Sequence, residues 1–501
     1  MNEVTQRGAT WFQDQQSLPG SFLGWTVVQW FWAVAFSLTA GFVTSEIIGE
    51  ADGWAVFACA LVFIIASHLC FFADRIVDFP GLISLTAAIE LLLAPVLAQI
   101  FPSTDWAVAM AVPLATYLQY AVPATAALWI GLHWPLNRSI DKADGREPSP
   151  LRASMRTQLD IVLVLGVLLA TFAGSFPSGL FFLITIISSF RFFAALVWMI
   201  TGTKGWKWRV GIVLIHLFAL TSADGIFYTL VQWGGFFLLV YAFRRRWRGR
   251  LAVALVLALT SAVLLQYVKS DYRRYLYSAN PGFADRVAAL SNMMWGEVGQ
   301  PSPQDSMTFS DVLVRFNEGW IVSRIMKRVP EVVPYARGET VENAVKFAIL
   351  PRALVPDKPE AASRVLFLHY AGMRLESGTR MGLSTIGEMY ANFGYWGGIL
   401  GTFVFGFLLG LGYKTFVSLT RRSQNWWAIA PIVLLAAIEP AWNLEDTTNY
   451  IVKSALVLVL LVYTVPLFRE VLSLEPLWGH RRISSVAMPR KSGRLDVRRT
   501  Q

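Results

Sequence analysis

Apolar runs of about 18 or more residues recur along most of the chain, each long enough to cross roughly 30 Å of hydrocarbon as a helix. They predict membrane helices at about 22–45, 54–73, 81–101, 107–132, 159–176, 178–201, 208–222, 225–243, 251–268, 384–412, 427–443 and 449–468, about twelve in all. The seventh run is short, which predicts either a tilted helix or one broken hairpin over 208–243. One long hydrophilic interruption, from 269 to 383, divides this pattern. Residues 1–268 read as an N-terminal transmembrane bundle of about nine helices, 269–383 as a large loop, 384–468 as the C-terminal membrane helices and 469–501 as a basic tail. Inside the loop, prolines separate short amphipathic stretches that predict helices lying along the membrane surface. The expected fold is an all-α polytopic integral membrane protein.

Composition agrees. Of 501 residues, 55% are hydrophobic and only 15% charged, against about 25% charged in soluble domains. A net charge of +10 in a soluble protein would suggest nucleic acid. In a membrane protein it reflects Lys and Arg collecting in cytoplasmic loops, so no nucleic-acid partner is expected. Cys59 and Cys70 share one apolar run and read as packing residues rather than a disulfide or metal site. The first apolar run, from near Ser21, is too long for a signal-peptide core and lacks a small-residue cleavage site, so it reads as a retained anchor.

Loop charge sets the expected orientation. One set of loops is basic: Arg138, Lys142, Arg146, Arg152 and Arg156; Lys204, Lys207 and Arg209; Arg244, Arg245, Arg246, Arg248 and Arg250; Lys414, Arg421 and Arg422; and the tail. The alternating short loops carry Glu46, Glu50 and Asp52, then Asp105, Asp224, Glu445 and Asp446, and no Lys or Arg. The asymmetry predicts cytoplasmic termini and an external 269–383 segment. No internal repeat, nucleotide fold or phosphate-binding Gly-rich loop is evident, and the cytoplasmic loops are too short for a catalytic domain. Chemistry is therefore expected in the membrane or on its outer face, driven by a lipid-carried, pre-activated donor.

The candidate residues follow from that expectation. Arg352, Lys358, Arg364, His369, Arg374 and Arg380 fall within about thirty residues, just before a membrane helix. Arginine binds phosphate bidentately and lysine adds a compact charge, which suits a diphosphate leaving group. A general base is needed to activate a sugar hydroxyl; Glu388, His369, Glu376 and Glu318 are candidates, and the spacing does not choose among them. Arg315, Arg324, Lys327 and Arg328 lie on the surface helices, where a solvated face near headgroups explains them equally well. Within the apolar runs, Glu90 and Arg191 either pair or line a cavity that His216, Glu439 and Lys453 would edge. His68 reads as a packing residue, Glu50 and Asp52 as part of a solvated loop, and no metal-ligand spacing is recognised. The pairs Gly397–Gly401 and Gly406–Gly410 predict close helix approach.

The segments PRALVPDKPE (351–360) and STIGEMYANFGYWGGILGTFVFGFLLG (384–410), with the order of spans and loop around them, resemble the Wzy-type O-antigen and exopolysaccharide polymerases, also called oligosaccharide repeat unit polymerases. The first looks like that family's Pro-rich element, and the second like its Gly-Glu-x-Tyr-x-Asn-Phe-Gly lead into the next helix. The resemblance implies a bacterial inner-membrane enzyme performing metal-independent, inverting glycosyl transfer on the periplasmic face, with no cofactor. The donor would be a glycan on undecaprenyl diphosphate, and a lipid-linked repeat unit would supply the acceptor hydroxyl. Arg352, Lys358 and Arg364 would hold the diphosphate, with Glu388 near the start of its helix; Arg374, Arg380, Arg315 and Arg191 extend the candidate substrate site. Membrane lipid and possible partners, a chain-length regulator and a flippase, belong to the same expectation. Many relatives carry an Arg where this chain has Thr221-Ser222-Ala223-Asp224-Gly225. An O-antigen ligase or other lipid-linked-sugar glycosyltransferase is the alternative. A transporter or flippase is the second, though no matched pair of discontinuous spans supports it.

Overall fold

The computed structural model describes residues 53–72, 76–103, 108–136, 151–225, 227–246, 248–279, 282–295, 309–350, 362–375, 381–439 and 441–473, with four positions between 34 and 42. The first predicted span, apart from those four positions, and the basic tail beyond residue 473 lie outside the described residues. Every regular element among the described residues is helical. In chain order they are α1 (Gly53–Phe72), α2 (Phe79–Ala88), a π-helical turn (Ile89–Leu93), α3 (Ala94–Ile100), α4 (Leu114–His133), α5 (Ala153–Thr171), α6 (Ser178–Ser188), α7 (Phe190–Thr201), α8 (Trp206–Asp224) and α9 (Tyr228–Arg245). Then follow α10 (Arg248–Ala279), α11 (Phe283–Trp295), α12 (Phe309–Val314), α13 (Gly319–Arg328), α14 (Glu339–Ile349), α15 (Ala362–Leu366) and a second π turn (Phe367–Ala371). The chain closes with α16 (Thr385–Leu419), α17 (Ala430–Leu434), α18 (Leu444–Thr464) and α19 (Pro466–Val471).

Among the described residues, six helices are long and apolar enough to cross a membrane: Gly53–Phe71, Phe79–Ile100, Ala153–Thr171, Leu180–Thr201, Thr385–Leu419 and Leu444–Thr464. Arg250–Gln266 and Gln424–Ile438 are shorter apolar helices. Large apolar side chains stand outward on several of these, among them Leu257 at 63%, Leu400 at 63% and Leu456 at 61% exposure. In water such stripes would be a liability; facing lipid they cost nothing. The protein is a helical membrane protein.

Several predicted spans are broken where backbone chemistry requires it. The run 208–243 is a hairpin of α8 and α9, turned at Gly225 with φ +62°. The run 178–201 divides at Ser189, whose hydroxyl donates to Thr185 O. The run 427–443 is a chain of short 3₁₀ and α pieces ending at Ile438, after which Glu439 leaves the helical region. α10 continues far past its apolar part and carries Lys269 and Arg273 beyond it.

The tightest seam lies between α16 and α4. A Cβ on Gly131 would sit 2.5 Å from Phe403 O, and one on Gly410 would sit 2.4 Å from Leu132 O. The backbones therefore nearly touch, as small residues allow in membranes. Gly398, Thr402, Gly406 and Gly410 form the buried stripe. Of the two glycine pairs, Gly406–Gly410 serves this seam. Gly397 and Gly401 instead meet Phe393 and Met389 of their own element, because that element is sharply kinked.

Candidate active site

The kink falls at Gly394, where φ 69° and ψ −158° describe a conformation open essentially to glycine alone. It folds residues 385–393 back, so that they pack with the 335–340 segment instead of continuing the long helix. Two backbone bonds join them: Ala336 N donates to Ala391 O (3.0 Å) and Arg337 N to Asn392 O (3.1 Å). The Asn392 side chain accepts from Gly338 N (3.0 Å) and donates to Thr340 Oγ1 (2.7 Å). Glu388, 0% exposed, accepts the Leu444 N–H through Oε2 at 2.8 Å and thereby caps the start of α18. Glu388, Asn392 and Gly394 thus form a buried scaffold that ties the long segment to the bundle.

Beside this scaffold a second group of acids converges. Glu90 sits in the first π turn, whose origin is Pro95. Proline has no N–H to give to the carbonyls one turn back, so Leu91 O and Glu90 O are left to outside donors. Tyr117 OH takes the first at 2.7 Å, and the Glu318 N–H takes the second at 3.1 Å. Glu318 therefore arrives on the bundle by its own backbone. Its Oε2 is enclosed, and burial, with Glu439 nearby, pushes its carboxyl up to about 8. Glu439 accepts hydrogen bonds from the Tyr228 hydroxyl and Trp442 and also interacts with Lys269. Tyr228 in turn accepts from Gln232 Nε2 at 2.8 Å. The three carboxylates lie close enough to repel one another.

Cations border the acids. Burial and the neighbouring Arg315 and Arg273 push the Lys269 ammonium down to about 8. Arg315 is lowered from its ordinary value by burial and by Arg273. Five separate parts of the chain thus supply one constellation: Glu90, Tyr228, Lys269 with Arg273, Arg315 with Glu318, and Glu439. A narrow cavity reaches Glu439 between Ile83, Leu91, Ser384 and Phe405, with about 20 Å³ of space, enough for one water. Ser384 lines it in a positive-φ conformation (62°) that non-glycine residues rarely adopt.

The residues expected from sequence distribute as follows. Arg352, Lys358, Glu376 and Arg380 lie outside the described residues. Arg364 on α15, His369 in the second π turn and Arg374 after it are at least partly exposed; the Arg328 guanidinium reaches His369 O at 3.4 Å. Arg315 and Glu318 belong to the constellation above. Glu90 and Arg191 do not pair. Arg191 lies against Gly166 of α5, and its guanidinium curls back to Ser188 O at 2.7 Å. His216, also expected beside Glu90, lies near Arg191 and contacts the Thr171 hydroxyl at 3.0 Å, while Lys453 stands over the Phe182 ring. Of that expected group, only Glu439 joins Glu90. Lys269, Arg273 and Tyr228 were not legible as site residues; the one available signal was a lysine and an arginine four residues apart at the end of a hydrophobic run.

No family model, curated protein or solved structure matches this chain.

Proposed function

We propose that this protein is a membrane glycosyltransferase that polymerises oligosaccharide units carried on polyprenyl diphosphate, as the Wzy-type polymerases do. The observation that carries the proposal is the meeting of half-buried carboxylates with Lys269, Arg273 and Arg315, where the backbone of Glu318 docks on Glu90 of the helical bundle. The acceptor hydroxyl attacks the anomeric carbon of the donor. The sugar–phosphate C–O bond breaks, and the lipid diphosphate leaves with the bonding pair. Glu439, held by Tyr228 and Trp442, accepts the hydroxyl proton. Glu318, which keeps its proton at neutral pH, donates a hydrogen bond to the sugar instead. The cations stabilise charge that grows on the diphosphate, the term on which such a reaction depends most. In this reading Arg352, Lys358, Arg364, Arg374 and Arg380 bind the donor diphosphate, and Glu388 positions α18 rather than touching the sugar.

The same reading includes about twelve spans, both termini in the cytoplasm, residues 269–383 on the periplasmic face and a bacterial inner membrane. Exposed apolar helices support the membrane part of it directly. The test is purified protein in liposomes given an undecaprenyl diphosphate-linked oligosaccharide, with products resolved by size. A ladder of lengthened glycans, lost in Glu439→Gln, supports polymerisation. Transfer only to an acceptor unlike the donor identifies a ligase. Movement of the lipid-linked sugar across the bilayer without a new glycosidic bond identifies a flippase.

A further inference from the structure

Far from the acid–base constellation, three polar side chains meet in the core at the other end of α2. His68 comes from the last turn of α1, Asp78 from the turn before α2, and His133 from the last residue of α4. All three are 1% exposed. His68 Nδ1 lies 3.7 Å from Asp78 Oδ2, and His133 Nε2 lies 3.4 Å from Asp78 Oδ1. The two imidazole rings stand edge to face, their centroids 4.7 Å apart.

The hydrogen bonds around the group define what it lacks. His133 Nδ1 is 2.8 Å from Trp129 O. A carbonyl only accepts, so this nitrogen carries the proton, and in the neutral ring the Nε2 lone pair faces the Asp78 carboxylate. Asp78 Oδ1 already accepts the Gly81 N–H at 2.9 Å. Neither His133 Nε2 nor Asp78 Oδ2 makes a hydrogen bond of acceptable geometry. The His133 Nε2 lone pair thus faces a carboxylate inside an apolar core, an arrangement that costs several kcal/mol unless a cation lies between them.

The spacing distinguishes a metal from a proton. A proton shared between imidazole and carboxylate draws the heavy atoms to about 2.7–2.9 Å. Contacts of 3.4 and 3.7 Å instead match neighbouring ligands on one ion, which stand about 3.3 Å apart when metal–ligand bonds are about 2.0–2.1 Å. One ligand atom from each residue lies within 4.8 Å of the others, so closing all three onto an ion takes about 1 Å of ring movement at most. The His133 Nδ1–H···O=C bond is also the outer contact that commonly orients a metal-bound imidazole. We propose that His68, Asp78 and His133 bind a divalent transition ion of the zinc class, through two imidazole nitrogens and the Asp78 carboxylate.

The ion would be structural. It would join the end of α1, the start of α2 and the end of α4, the helix that forms the glycine seam with α16. Asp78 and Glu90 are separated by twelve residues of helix, about 18 Å, so the ion takes no part in chemistry at the carboxylates.

The experiment is metal analysis of the full-length protein, purified in detergent, stripped with chelator, reloaded with Zn²⁺ and desalted. The expected result is one zinc per chain, reduced at least tenfold in His133→Gln and in His68→Phe. Wild-type protein that retains no zinc, or variants that retain as much as wild type, overturn the proposal. Should the variants fail to fold, cobalt in wild-type protein gives an independent reading. Intense visible d–d bands, displaced by one equivalent of Zn²⁺, support a nitrogen–oxygen tetrahedral site, and the weak bands of hydrated cobalt overturn it. Neither measurement requires glycosyl transfer, so each stands or falls apart from the proposed activity.

Discussion

Two polar groups sit at opposite ends of α2, one half-buried and one fully buried, and they are built in opposite ways. At one end Glu90, Glu318 and Glu439 crowd like charges together beside Lys269, Arg273 and Arg315, with polypeptide from four parts of the chain. At the other, His68, Asp78 and His133 come from three neighbouring pieces of one packed corner and are sealed from solvent. The first group pairs strained electrostatics with a flanking cavity and cations near the surface, an arrangement suited to binding a charged substrate and moving a proton. The second has ligand atoms, no access and no excess charge, which suits holding helices together. Burial alone does not mark a reactive site; burial with like charges and a path outward does.

The comparison breaks most sharply at Glu439. Glu439→Gln is expected to lower turnover by about 10²–10⁴-fold, the usual contribution of a general base, with little change in melting temperature. Equal loss of folding and activity would return Glu439 to a structural role. At the other end, Asp78→Asn is expected to remove about 2–4 kcal/mol of stability by leaving the two histidines without their carboxylate. Its turnover per folded molecule should be unchanged, as a thermal-shift assay beside a liposome assay would show. Loss of turnover in well-folded Asp78→Asn would dissolve the division of labour between the ends.

Smaller effects test the scaffold between them. Glu388→Ala leaves the Leu444 N–H buried without its acceptor and should cost about 1–3 kcal/mol. If Glu388 were instead the base, Glu388→Gln would abolish turnover while preserving the cap through its amide oxygen. Gly394→Ala forces a side chain into a glycine conformation against the Tyr335 ring and should cost about 1–3 kcal/mol.

A pH slope tests the acids without a substitution in the scaffold. The Glu318 carboxyl is raised from 4.5 to about 8 in the folded protein, so across that interval the folded state holds more protons than the unfolded. Stability should therefore fall as pH rises from about 4.5 to about 8, and level off above it. Glu318→Gln should flatten that slope, and an unchanged profile would remove Glu318 from the enclosed acids.

Much of this protein is legible along the chain. Apolar run length determines that it is a helical membrane protein, because no other backbone arrangement of such residues satisfies its hydrogen bonds in lipid without a closed barrel. Small residues at a spacing of four determine that helices can touch, and Gly406 and Gly410 do so. The Gly-Glu-x-Tyr-x-Asn-Phe-Gly motif marks a structurally demanding place, although its glutamate caps a helix and its last glycine makes a reversal. Tertiary structure alone decided which charges meet. Glu90 faces Glu318 because Pro95 frees carbonyls that only a distant segment can satisfy, and Arg191 misses Glu90 because Ser188 O, at the end of the preceding helix, takes its guanidinium. Likewise, three unremarkable positions, 68, 78 and 133, become one ligand set only when α1, α2 and α4 pack. Hydrophobic periodicity is local and survives in the sequence; the pairing of buried polar atoms is settled by packing, and that requires the whole fold.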